Sequence, residues 1–256
     1  MKCTDIIKRL EILAPPAFAE SWDNVGLLAG RRTKEIKKVY LAVDATDEVI
    51  EDAIEAEADM LLTHHPLMIS GIKKVNTDSM TGKKIVEMIQ SDICHYAMHT
   101  NYDVLGMADL SACILGLKET AVLEEVLDGE GIGRVGSLPE TMTLQACAEL
   151  VKERFHLPNV KVFGDLHKMV KTAAISPGSG KSMVHPALSL GAEVLITGDI
   201  DHHTGIDMKD CGLAIIDAGH YGIEHIYIED MRAFLAERFP ELLIETAPVC
   251  QPFEVL

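Results

Sequence analysis

The chain has 256 residues, 48% of them apolar and 25% charged, a composition that excludes a disordered or fibrous protein. Its 40 Asp and Glu against 23 Lys and Arg leave a net charge of −17. So acidic a chain lacks the counterion-release term that drives phosphate-backbone binding, which disfavours a nucleic-acid partner; a metalloprotein is not disfavoured, and 11 histidines are present. The length suits one large domain or two small lobes, and it can bury a core without staples.

In chain order, Ile6, Ile7, Leu10 and Leu13 recur at helical spacing among Asp5, Lys8, Arg9 and Glu11. This is an amphipathic helix ended by Pro15-Pro16, not a signal peptide. No apolar run approaches the roughly 20 residues of a membrane span. Cysteines 3, 94, 113, 147, 211 and 250 include no Cys-x-x-Cys pair and read as reduced thiols, so a soluble, cytoplasmic protein is expected. Short β-like runs follow: Val39–Asp44, Asp59–Thr63, Ile93–His99, Lys171–Ile175, Val194–Thr197 and Leu213–Asp217. They alternate with helix-period segments such as Asp47–Ala58, Lys83–Gln90 and Leu144–Phe155, the pattern of a layered α/β fold. The glycine-rich segment Leu127–Gly136 is the best candidate boundary. The expected division is a first lobe of residues 1–126 plus 222–256 and a second of 127–221.

A weak internal repeat supports two related lobes. Lys38–Asp44, a helix and Ala58–Thr63 form one copy; Lys171–Ile175, a helix and Ala192–Thr197 form the other. Ala58/Ala192, Leu61/Leu195 and Thr63/Thr197 fall at one constant offset. Each copy is followed by a third strand, and loops at strand carboxyl ends are where such folds place chemistry.

Three of those ends carry histidine. His64-His65 follow Asp59–Thr63 and precede Pro66. Neighbouring strand side chains point to opposite faces, so the pair suits one metal poorly unless the chain turns, and two neighbouring metals well. His99 and Asp103 follow the next strand, and His220 and Glu224 follow the last. A helical turn would aim His220 and Glu224, four residues apart, at a common point. Two divalent cations held by three neutral imidazoles and two carboxylates leave a locally positive site, which would attract an anionic ligand such as phosphate. Imidazole–carboxylate ligation suits zinc, iron, manganese or nickel about equally.

These residues, His64-His65-Pro66, His99-Thr-Asn-Tyr-Asp103 and His220-Tyr-Gly-Ile-Glu224, with Trp22-Asp-Asn-Val-Gly-Leu-Leu28, resemble the dinuclear-metal proteins named GTP cyclohydrolase I type 2 homologs, or Nif-three-like proteins. The resemblance runs in order from about residue 20 to 230. It implies two intertwined α/β lobes with mixed sheets, a metal pair in the cleft between them, and a toroidal homohexamer. Carried over by position, His65 and Asp103 would hold one metal, His64 and His220 the other, and Glu224 would bridge. The middle insertion of some relatives is absent.

His99 lies near the implied metals without being an assigned ligand; it reads either as an acid/base group or as a structural histidine. Asp199-Ile-Asp-His-His203 is a second histidine pair that either faces the same cleft or forms a solvated loop. Trp22, the only tryptophan, reads as a core anchor, with Asp23 and Asn24 capping or orienting nearby loops. Ile175–Ser182 ends in Gly-Lys-Ser like a phosphate-binding loop, but Ile175 replaces the first glycine and Pro177 disfavours a tight nest. Gly178–Gly180 could still receive an anion. The expected function is metal-dependent hydrolysis, in family terms opening of the guanine imidazole ring, on a nucleotide or other anionic small molecule. The alternative is a metal-binding, storage or delivery protein.

Overall fold

The computed structural model describes residues 1–255. Its strands, in chain order, are β1 (Gly26–Ala29), β2 (Lys38–Ala42), β3 (Met60–Thr63), β4 (Cys94–Ala97), β5 (Lys118–Leu127), β6 (Glu130–Thr143), β7 (Lys161–Phe163), β8 (Met169–Ser179), β9 (Val194–Gly198), β10 (Ala214–Asp217) and β11 (Leu243–Thr246). The N-terminal helix spans Cys3–Leu13 and buries Cys3, Ile6, Ile7 and Leu10, the stripe its periodicity predicts. Among the described residues, no helix is long and apolar enough to cross a membrane.

The chain forms two compact units. The first comprises Met1–Tyr102 and Tyr227–Val249; the second comprises Asp103–Ile226 and the residues from Cys250. In the first unit the sheet order is β1-β4-β3-β2-β11, parallel except for β1 against β4. In the second the order is β5-β6-β8-β9-β10-β7, with β8, β9 and β10 parallel and the other pairings antiparallel. Both sheets are therefore mixed. The glycine-rich segment Leu127–Gly136 lies at the tip of the β5–β6 hairpin.

Central strands read as unbroken apolar runs because both sheet faces are covered. In the second unit, Ala173, Ile175, Val194, Ile196, Ala214 and Ile216 pack on one side with Leu144, Cys147, Val151 and Phe155 of the helix Leu144–Arg154. The alternate residues Ala174, Leu195 and Ile215 pack on the other with Val184, Ala187 and Met208. Period-two alternation thus feeds two cores from one set of strands. In the first unit, Tyr40, Ala42 and Leu61 meet Ile50 and Ala53 of the helix Asp47–Glu55, which Thr46 caps by accepting from Val49 N at 3.1 Å.

Candidate metal centre

In the first unit the ladder holds the histidine pair in place beyond the end of β3. His64 N donates to Ala42 O at 3.3 Å and His65 N to Val43 O at 2.8 Å, while Thr63 Oγ1 donates to His65 O at 2.7 Å. The chain turns there, so the two rings do not diverge: their centroids lie 4.9 Å apart. His64 is fully buried. Its Nδ1 bonds to Met98 O at 2.8 Å, and a carbonyl only accepts, so this nitrogen carries a proton. His65 Nδ1 bonds to Asp44 Oδ1 at 2.7 Å with the same result. A carboxylate or carbonyl behind the distal nitrogen is the usual support of a metal-binding imidazole. Tyr227 backs the His64 ring at 5.3 Å between centroids, and complete burial pushes its phenol pKa up.

His99 joins this pair. One nitrogen from each of His64, His65 and His99 lies within 4.8 Å of the others, an arrangement that could hold a metal ion. His99 Nδ1 bonds to Asp23 Oδ1 at 3.0 Å, which leaves Nε2 for other work. Burial alone would raise the Asp23 carboxyl pKa, but hydrogen bonds from His99 and Thr100 outweigh it and hold the value at about 2.

The second unit presents the other predicted residues. Asp103 opens a π-helical turn, Asp103–Met107, a departure from α-geometry often found at functional sites. His220–Glu224 is the expected helical turn, and His220 Nε2 lies 3.1 Å from Glu224 Oε2. His220 Nδ1 bonds to Asp199 Oδ2 at 2.8 Å, so again the supported nitrogen is Nδ1. Carboxylate oxygens of Asp103 and Glu224 lie within 4.8 Å of each other. Gly178, at φ +78°, faces this group: a Cβ there would sit 2.5 Å from Glu224 Oε1.

Several expectations need revision. Trp22 is not a core anchor, being 56% exposed. His202 and His203 open the helix His202–Asp210 and are exposed, and the member of that segment that meets a candidate ligand is Asp199, bonded to His220. The strand β8 continues through Ser179 and a short 3₁₀ turn, Lys181–Met183, follows Gly180, with Lys181 paired to Asp201 at 2.8 Å. Reading the sequence alone missed Asp44 and Asp199 as imidazole supports; Asp44 is the last residue of one predicted strand and Asp199 lies just past another.

Fold and side chains define an α/β protein with His, Asp and Glu groups that could hold metal ions. The family model described as Duf34/NIF3 (NGG1p interacting factor 3) matches residues 1–251, and the chain belongs to that family. It is similar to a Clostridium perfringens protein named GTP cyclohydrolase 1 type 2 homolog, 41% identical over 228 residues, 88% of this chain and 87% of that one. Among solved structures, Staphylococcus aureus hypothetical protein SA1388 matches with a TM-score of 0.90 at 30% identity, covering 100% of this chain and 99% of that one. Reduced HcgD from Methanocaldococcus jannaschii matches with a TM-score of 0.85, also at 30% identity, covering 96% and 97%.

Proposed function

We propose that the protein binds two divalent metal ions and uses them to hydrolyse a small anionic substrate, in the manner its relatives' name suggests: opening of the guanine imidazole ring of a nucleotide. The carrying observation is the shared Nδ1 support of three histidines. His64, His65 and His220 each engage an oxygen through Nδ1, at 2.8, 2.7 and 2.8 Å, the arrangement that turns the Nε2 of an imidazole to a metal. His65 and Asp103 would hold one ion, His64 and His220 the other, with Glu224 bridging. The donor set fits zinc, iron, manganese or nickel. Bound there, the ions would supply Lewis-acid stabilisation of negative charge and acidify a water molecule. His99, its Nδ1 proton held by Asp23, would accept and return a proton at Nε2. The acidic surface argues against a nucleic-acid substrate, and the active assembly in this reading is a cytoplasmic homohexamer.

The test is metal analysis of purified protein, followed by hydrolysis assays on GTP and a phosphomonoester for native protein and Glu224→Ala. Two ions per chain with turnover lost in Glu224→Ala is the expected result. No metal above background overturns the reading, and two exchangeable ions without turnover turn it into a carrier.

A further inference from the structure

The loop that carries the chain's only tryptophan is anchored on both sides of it. Glu20 N donates to Thr100 Oγ1 at 2.9 Å, and Asp23 N donates to Glu20 O at 2.9 Å. The Asp23 side chain has no exposed surface, and its carboxylate accepts from His99 Nδ1, Thr100 N and Thr100 Oγ1. Asn24 Nδ2 donates to Met68 O at 2.6 Å. The anchors are themselves fixed: Thr100 and Asn101 are buried, and Asn101 Nδ2 donates to Ala14 O at 2.6 Å.

Trp22 nevertheless leaves more than half of its surface in solvent. An indole on a free loop would fold down onto apolar surface, since burying it is worth more than most single contacts. Here a buried polar network holds it outward. The indole meets His99 edge to face, with centroids 5.8 Å apart and planes at 75°. His99 lies 5.3 Å between centroids from both His64 and His65. A rigid, exposed aromatic surface therefore stands one ring away from the histidine cluster.

We propose that Trp22 is the platform on which a planar heteroaromatic ring of the substrate stacks, beside His99. The inference rests on the hydrolytic reading above for the identity of the site, and it supplies a group that recognises a base. Because the indole is already held in place, little side-chain freedom is lost on binding. Every base has a π face, so the platform selects the class of ring rather than one member. Asp23 acts as a positioning residue, fixing both the His99 ring and the Trp22 loop.

A single tryptophan makes its own reporter. Metal-treated native protein is titrated with guanosine, adenosine and cytidine, with ribose 5-phosphate as control, and indole emission is followed against free N-acetyltryptophanamide to correct for absorption. Saturable quenching by nucleosides and none by ribose 5-phosphate is expected. By calorimetry, Trp22→Ala should bind guanosine roughly tenfold more weakly or worse, while Trp22→Phe keeps most of the affinity, both with native metal content and melting temperature. No quenching by any nucleoside, or native affinity in Trp22→Ala, overturns the proposal. So does blue-shifted emission that moves to the red on dilution, which would mark Trp22 as a contact between copies of the chain. Quenching in protein that takes up no metal would sink the metal reading and leave the platform standing.

Discussion

In the first unit, β2, β3 and β4 run parallel with β1 antiparallel outside β4; in the second, β8, β9 and β10 run parallel with β7 antiparallel outside β10. The loops after the central strands differ. Thr63 is followed by His64 and His65, two candidate ligands, whereas Thr197 is followed by Gly198 and Asp199. Gly198 leaves space, since a Cβ there would approach His220 N to 2.6 Å, and Asp199 orients His220 from a left-handed backbone at φ +57°. One scaffold thus carries candidate ligands on its middle loop, and the other carries support for a candidate ligand on its next loop. Two sheets of like topology need not carry the same side chains on corresponding loops.

The sharpest break of that comparison is ligand removal. His64→Ala and His220→Ala should each reduce bound metal from two ions per chain to about one by elemental analysis; unchanged metal in either variant would remove that histidine from the ligand set. Next in size is a position where the sheets differ in the core. His95 of β4 is buried where β10 has Ile215, each being the register partner of the central-strand leucine, Leu61 or Leu195. Thr63 Oγ1 donates to His65 O and so accepts from His95 Nε2, which leaves Nδ1 without a proton or a hydrogen-bond partner. Burial lowers the His95 pKa from 6.5 to about 4. The unfolded chain therefore binds this proton first, so stability is full above about pH 6.5 and falls as the pH drops towards 4, by on the order of 3 kcal/mol. Urea titrations across that range should show the slope in metal-free native protein and a shallower one in His95→Ile.

Third are the imidazole supports. Asp44→Ala and Asp199→Ala should weaken metal binding about 10- to 100-fold while leaving the ligand sets intact, measured by competition with a chelating dye. Equal losses would show that support from a first-unit loop and a second-unit loop is equivalent. Smallest are the caps of the helices that follow the two central strands. Ser79 accepts from Gly82 N at 3.1 Å and Asp201 from Thr204 N at 3.0 Å. Ser79→Ala and Asp201→Ala should each cost about 1 kcal/mol by denaturant unfolding, with metal content unchanged.

What was legible in the sequence follows from how each element is stabilised. The parallel strands β2–β4 and β8–β10 announced themselves because burial on both faces demands continuous apolar residues. The candidate ligands stood out because histidine and carboxylate clustered just past those strands. The long hairpin β5–β6 did not, since Lys118–Leu127 is largely exposed and β6 fills much of its buried stretch with glycines and Arg134, so neither carries an apolar pattern. Short edge strands such as β7 and β11 are too brief to show a period. Trp22 was misread for a different reason. Composition favours burying a lone indole, and only the network of Glu20, Asp23, Asn24 and Thr100 reverses that preference.

The path of the backbone has a consequence for the order of assembly. The first unit takes its last helix and strand from Tyr227–Val249, after the chain has traversed Asp103–Ile226. In the cell, a nascent first sheet waits with its β2 edge open until Leu243–Thr246 has been synthesised and pairs with Lys38–Leu41. Such a long-separation closure is slow and leaves an unpaired edge exposed to other chains meanwhile. The inserted unit, whose strands β5–β10 are contiguous in the chain, has its whole sheet in hand while its host is still incomplete.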